Sequence, residues 1–403
     1  NEYLYVYEPD GADDANKGLA VKMDTIAALI YESGGQLLDV GAIADGEYLK
    51  RDGTDVVGSG LSDPVLYNRA VSIYGGEDTD AESRRTVNIT DSDALYVAID
   101  GSVYSVAAST TKDLNTSANW DTDSPTDYST ASNRAGVDFY IYACVPASGT
   151  VADIVLSANS TTPSGYTASN SRKIGGFHCL CVSVGTIAGH TLTGYLQGDI
   201  LPASVWDLLH RPANKQPEGM VYSEKANIWV DIYLQSGTGV STASAYGGTV
   251  TVSREWLNHL DDFAEVGKRM LHDHEFQIIA AGSNEETNIA GSAAPGTTGG
   301  NSDTASRRMI SDIGCEDCCG AYWQWLLTPS ARLNDGTAGG WIDLPNSKGS
   351  FYTYGTNGYG NTQLLAGGNW DGGTYCGSRS RYANFYRWLV DSRIGGRACV
   401  EPL

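Results

Sequence analysis

Positive charge is scarce in this chain, which carries 26 Lys and Arg against 48 Asp and Glu and a formal net charge of −22 over 403 residues. Duplex phosphates and anionic bilayers are held mainly by Lys and Arg, so nucleic acid and acidic membrane surfaces are not expected partners. The acidity suits a crowded, exposed protein that must stay soluble. Long apolar runs are missing too: none approaches the ~18 to 20 residues of a membrane span, so membrane insertion is not expected. The chain opens with Asn1-Glu2-Tyr3 and soon meets Asp10, Asp13 and Asp14. That acidic start does not read as a secretion signal, which fits release by cell lysis. No nucleophile elbow, phosphate-binding glycine loop or zinc-protease motif occurs, so no catalytic residue is assigned.

The most informative absence is local. Between Leu364 and Val400 there is no Lys, Glu, Gln or Met. What stands there instead is LAGGNWDGGTYCGSRSRYANFYRWLVDSRIGGRAC, in which Tyr375, Tyr382, Phe385, Tyr386 and Trp388 sit among small polar residues and arginines. Rigid aromatics give contact area at little entropy cost, and Ser, Gly and Asn give adaptable hydrogen bonds, as in antibody loops. A core segment would show Leu, Ile and Val at period two or 3.6. The missing residue types have a genetic reading as well. An AAY codon changed at its two adenines cannot encode Lys, Glu, Gln, Met, Trp or a stop. Only Trp370 and Trp388 depart from that set.

The frame of this block is Gly367, Gly368, Trp370, Gly377, Ser378, Arg379, Gly395, Arg397 and Cys399. It resembles, without a gap, the variable region of the C-type-lectin-fold proteins diversified by retroelements, the family to which phage tropism determinants belong. The resemblance implies that those residues are scaffold and that the diversified, ligand-contacting positions are Asn369, Asp371, Gly372, Gly373, Tyr375, Tyr382, Asn384, Phe385, Tyr386, Arg387, Leu389, Asp391 and Arg393. Upstream, Gly267 to Glu285 resembles the helix-to-loop phrase of the formylglycine-generating-enzyme branch of the fold, and Gly320 to Trp325 resembles its central buried strand. Trp323, Trp325 and Trp370 are then expected in the core.

By this resemblance the protein is a non-enzymatic receptor-binding protein of a virion tail or tail-fibre tip. Its partners would be a host cell-surface protein or glycan, other tail proteins and further copies of itself in a trimer. The runner-up is a virion or cell-surface lectin with a fixed glycan ligand. A copper-dependent oxidase of the formylglycine type needs two neighbouring cysteines, and here Cys376 stands alone in the block with Cys399 at its far end. A calcium-dependent sugar lectin needs an acid-Pro-Asn phrase that is missing, and Asn369-Trp370-Asp371 matches its second phrase in composition only. No cofactor is assigned; a structural calcium or magnesium ion stays open.

The expected fold class is α+β and multidomain: a C-terminal C-type lectin fold preceded by a β-sandwich-like domain and a small N-terminal domain. Residues 1–75 read as a virion-assembly domain, with an amphipathic run at Met23 to Tyr31 and turn signals at Asp45-Gly46 and Asp52-Gly53 around a strand at Glu47 to Arg51. Residues 76–205 read as a β-rich spacer. Leu95, Val97 and Ile99 alternate, Asp100-Gly101 turns the chain, and Val103 and Val106 return. Further strands are expected at Val137 to Val145, Ile154 to Ser157 and Phe177 to Val184, with a loop or edge from Ser109 to Arg134.

Residues 206–403 form the ligand-binding domain, entered through a proline-punctuated connector from Asp199 to Tyr222 and a strand at Asn227 to Leu234. In it Ser253 is expected to cap a helix whose apolar face is Trp256, Leu260, Phe263 and Met270. A second helix, His272 to Ala281, presents Phe276 and Ile279. The loop Gly282 to Ser306 is expected as a surface insertion. His272 and His274, Asp261, Asp262 and Glu265, and Glu285 and Glu286 are read as solvated polar positions. Cys179 and Cys181 are expected on one face of one strand, and all eight cysteines as buried thiols or a disulfide ahead of any zinc site.

Overall fold

A computed structural model describes residues 3–5, 20–22, 47–52, 55–62, 73–90, 94–121, 126–332, 339–353 and 360–403. The chain divides into two compact units, Asn1–Arg69 and Ala70–Leu403. In the first, Tyr3–Tyr5 pairs antiparallel with Ala20–Lys22, and Glu47–Asp52 pairs with Asp55–Ser62 in a register that ends at Asp52 opposite Asp55. The strand expected at Glu47 to Arg51 forms as Glu47–Asp52; the turns expected at Asp45-Gly46 and at Gly53 lie outside the described residues. The amphipathic run Met23 to Tyr31 lies outside the described residues.

In the second unit the alternating pattern near residue 95 folds as read. Leu95, Val97 and Ile99 are buried, Tyr96 and Ala98 are not, and Ser102–Val106 returns beside them. Asp100 and Gly101 take φ of 46° and 77°, the left-handed pair that a two-residue hairpin turn requires. The strand Asp138–Cys144 is buried on both faces. Phe139, Ile141 and Ala143 enter a core with Val87, Val97, Leu156 and Ile174, while Tyr140, Tyr142 and Cys144 pack with Trp206, Met220 and Trp229. It is central in a sheet ordered Asp153–Ser157, Asp138–Cys144, Ser171–His178, Trp206–Asp207.

Two strand expectations are corrected here. The strand read at Phe177 to Val184 is Ser171–His178. Gly175-Gly176 interrupts the apolar pattern yet sits inside the strand, because Trp206 crosses so closely that a Cβ on Gly176 would lie 2.4 Å from the Phe139 carbonyl oxygen and 2.7 Å from the Trp206 indole nitrogen. The chain has left the strand by Cys179, so Cys179 and Cys181 do not share a face: they enter two different cores. All eight cysteines are buried free thiols.

Residues 220–403 supply two further sheets. Met220–Ser223, Ile228–Asp231, Ala398–Val400 and Arg269–Met270 form one, which ties the chain end to the strand expected at 227–234. The other has six strands in the order Trp341–Asp343, Ser350–Tyr352, Gly377–Phe385, Gly360–Gly367, Trp323–Arg332, Ile394–Gly395. Arg397 is fully buried between them, donating to Gln324 Oε1 at 3.0 Å and to the carbonyls of Asp231, Ile232 and Glu316. A guanidinium so placed needs every one of these acceptors, since an unpaired buried charge is costly.

The helices are shorter than read. The first spans Trp256–Glu265 with Glu255 in extended geometry ahead of it; Ser253 has φ 56° and caps nothing, and Met270 belongs to a strand. The second is Asp273–Ile279, with Phe276 and Ile279 buried and the Glu275 carboxylate accepting the His272 N–H at 2.7 Å. Asp262 is buried rather than solvated: it accepts from Gln235, Gly239 and Arg254.

Candidate functional site

Gly367 and Gly368 open the site for a steric reason. Both have φ near 90°, and a Cβ would fall 2.2 Å from the Cys318 carbonyl oxygen at the first and 2.6 Å from Cys376 Sγ at the second. The chain then makes the excursion 369–376 and returns as Gly377–Phe385, paired antiparallel with Gly360–Gly367 and parallel with Ser350–Tyr352.

The excursion is held from behind by residues read as surface. Glu285 accepts from the Ser378 amide at 3.0 Å and the Ser378 hydroxyl at 2.6 Å, and pairs with Lys348 at 3.3 Å. Asn288, 5% exposed, donates to the Trp370 carbonyl and accepts from the Gly373 N–H at 3.2 Å. Asp273 pairs with Arg381, whose guanidinium lies 5.1 Å over the Phe276 ring. The segment Gly282 to Ser306 is therefore a buttress and not a plain surface insertion. Its Asn284, Thr298 and Asp303 are buried as well. Lack of periodicity concealed this, because such a segment is fixed by side-chain hydrogen bonds instead of an apolar stripe.

Asn369, Asp371, Gly372, Tyr375, Tyr382, Phe385, Asp391 and Arg393 line one open cavity of about 290 Å³, together with Trp323, Trp341 and Ile394. The other positions marked as ligand-contacting lie elsewhere. Gly373 starts a tight helical turn, Asn384 is half-buried, Leu389 packs against the core around Trp256 and Trp325, Arg387 covers the Trp256 ring at 5.0 Å, and Tyr386 stacks on exposed Trp388 at 4.8 Å. Of the frame residues, Trp325, Gly377, Ser378, Gly395 and Arg397 are buried and Arg379 is exposed. Trp370 is half-buried against Tyr322. Trp323 has two roles, packing into the core and flooring the cavity.

Two aromatic stacks wall the cavity. Trp341 lies parallel to Tyr375 at 4.2 Å and to Trp323 at 6.4 Å; Tyr382 lies between Tyr352 at 4.4 Å and Phe385 at 4.6 Å. The stacks meet at about a right angle, Trp341 to Tyr382 being 5.6 Å and 70°. Such offset and edge contacts each contribute about 0.5–1.5 kcal/mol beyond burial, so the walls are preorganised. The sequence reading missed Trp341 and Tyr352. Their segment WIDLPNSKGSFY mixes aromatics with Gly, Ser and Asn much as the 369–393 block does, and that was the available signal.

Chemically the cavity offers two carboxylates, an amide, a guanidinium and ring faces. The Asp391 carboxylate accepts the Arg393 N–H at 2.8 Å and pairs with its side chain at 3.4 Å. Cys376 lies behind the loop, its thiol pushed up to about 12 by burial and donating to the Asn369 carbonyl. Cys399 stands in the other sheet, its thiol also pushed well up by burial. The two are held as thiols rather than thiolate ligands. Among the described residues no group of three His, Cys, Asp or Glu converges on a metal position. A larger cavity of about 430 Å³, lined by Glu77, Asp78, Tyr195 and Asp312 among others, contains none of the expected residues.

Fold and site together define a β-rich protein whose C-terminal sheet carries an aromatic, loop-built cavity. Residues 86–207 match the family model described as the Mtd second domain. A tail fiber receptor-binding protein of Bordetella phage BPP-1 is 29% identical over 274 residues, which is 61% of this chain and 66% of that protein; the match thus spans just under two thirds of its length. Among solved structures, the U1 variant of the major tropism determinant aligns with TM-score 0.60 and 23% identity over 89% of this chain and 92% of its own. The P3c variant aligns with TM-score 0.61 and 22% identity over 86% and 89%. The chain has the fold of the major tropism determinant variants over most of its length.

Proposed function

We propose that this chain is the receptor-binding protein of a phage tail fibre, without enzymatic activity, that displays a diversified ligand-binding surface on a C-type lectin fold. One observation carries the reading. Eight of the thirteen positions marked as diversified by residue type and frame converge on one cavity, while most of the frame is buried behind them. A scaffold fixed in this way tolerates change at its open side chains, since exposed substitutions usually cost under ~0.5 kcal/mol, whereas a desolvated aromatic anchor contributes ~2 kcal/mol or more to binding. The kinship with the tail fiber receptor-binding protein supports the same reading.

In this reading residues 1–75 attach the protein to the virion, 76–205 are a β-sandwich-like spacer, and 206–403 present the site. The partners are a host cell-surface protein or glycan and other tail proteins. Assembly as a trimer would multiply a weak single-site affinity. The virion tail is the location, with the cell surface as the alternative.

Sequencing codons 365 to 400 across a natural population tests it. Substitutions concentrated at the diversified positions, with Trp370, Gly377, Ser378 and Arg379 unchanged, are the expected result. Uniform, low variation would leave a lectin with a fixed glycan ligand.

A further inference from the structure

We infer that the cavity takes a cationic side chain, an arginine or lysine presented by a polypeptide on the host surface. The inference rests on the receptor-binding reading and adds the chemistry of the ligand. Three observations carry it.

The first is the local charge. Asp371 and Asp391 line the cavity, and Arg393 is the sole cation among the lining residues. The Arg393 side chain is 54% exposed and already paired with Asp391, so the Asp371 carboxylate, which accepts from the Asn369 amide at 2.5 Å, is left without a paired cation among the lining residues. The second is the wall. The inner faces of both aromatic stacks are covered, but Tyr375 closes one of them and is 39% exposed. A ring face of this kind attracts a guanidinium or ammonium within about 6 Å, more so beside a carboxylate. The chain forms this pairing repeatedly within itself, with Arg84 4.7 Å over Tyr195 and Arg387 5.0 Å over Trp256. The third is the long-range field. A net charge of −22 draws cations and repels carboxylates and sialylated or phosphorylated glycans, and leaves neutral sugars indifferent. A volume of about 290 Å³ admits one long side chain and not a folded element. Arg393 stands in this account as an internal occupant that yields Asp391 to the incoming group.

The test is a titration of the full chain with three probes, argininamide, methyl β-D-galactopyranoside and acetate, followed by saturation-transfer NMR of each probe. Saturable binding of argininamide is expected, weakened about tenfold in the Asp371→Asn, Asp391→Asn double variant and several-fold between 50 and 500 mM NaCl. Acetate should not bind. Tyr375→Ala, at an exposed ring, should weaken argininamide by a similar factor, and it keeps the test valid if the double variant is poorly folded. Binding of argininamide that is unchanged in both variants would overturn the inference, as would binding of the galactoside alone. Either result leaves the receptor-binding reading standing, because that reading is decided by the variation at codons 365 to 400.

Discussion

The ring of Trp341 lies parallel to that of Tyr375, with 4.2 Å between centroids and 10° between planes. Tyr375 is one of the positions proposed as diversified, and Trp341 lies outside the block that contains it. On that proposal a ring outside the block, half-buried, orients a changeable one. Trp341→Ala is expected to cost about 1–3 kcal/mol of stability, through lost stacking on Tyr375 and lost edge contacts with Tyr352 and Tyr382. Tyr375→Ala should cost under about 1 kcal/mol. Urea denaturation of both variants checks the order; equal losses would mean that Trp341 is not the supporting member.

Tyr382 and Phe385 are not free surface side chains. Both are half-buried and pack against the core around Trp323 and Trp325. Truncating Tyr382 to Ala should therefore lower stability by about 1.5–3 kcal/mol as well as abolish binding. Asp371→Asn, at an exposed position, should leave the melting temperature within a degree or two. An unchanged melting temperature in Tyr382→Ala would show that the stack is not formed in solution.

Glu285 and Asn288 hold the loop by its backbone. Removing the Asn288 amide leaves the Gly373 N–H and the Trp370 carbonyl without that partner, at an expected cost of about 1–3 kcal/mol. Amide hydrogen exchange should accelerate at residues 370–378 in Asn288→Ala while the strand Asp138–Cys144 keeps its protection. Uniform acceleration across both would indicate global destabilisation in place of a local post.

Burial pushes the His259 imidazole down to about 4, while its Nδ1–H donates to Gln235 Oε1 at 2.6 Å. A histidine whose folded value is depressed contributes stability that is intact above its unfolded value near 6.5 and is lost as pH falls toward 4. Between pH 7 and pH 5 the chain should lose about 2 kcal/mol from this residue alone. His259→Asn removes the titration, so its stability should fall less over the same interval. Parallel losses in the two proteins would place the imidazole in a wetter site than the fold gives it.

Local patterning was legible where one residue's neighbours in sequence are also its neighbours in space. Leu95, Val97 and Ile99 announced a half-buried strand, Asp100-Gly101 a turn, and Phe276 with Ile279 a helix face, because periods of two and 3.6 are properties of the backbone. Gly175-Gly176 misled for the opposite reason: its backbone is approached by Trp206, thirty residues on. Glu285 and Asp262 read as solvated, and Asn288 as part of a surface insertion, because an isolated polar residue looks alike whether it faces water or a buried amide.

The sequence by itself determined the membership of the 365–399 block: which positions carry glycine for close approach, which residue types are missing, and where aromatics accumulate. Only the tertiary structure decided which of those side chains share a cavity and which, like Leu389 and Arg387, turn to the core. It also decided that Trp323 and Trp341 join them from strands elsewhere in the chain, with Tyr352 stacked on Tyr382. The physical reason is that strand order in the six-stranded sheet is set by non-local hydrogen bonds, Phe351 opposite Arg381 and Leu365 opposite Tyr382, and no periodicity along the chain records them.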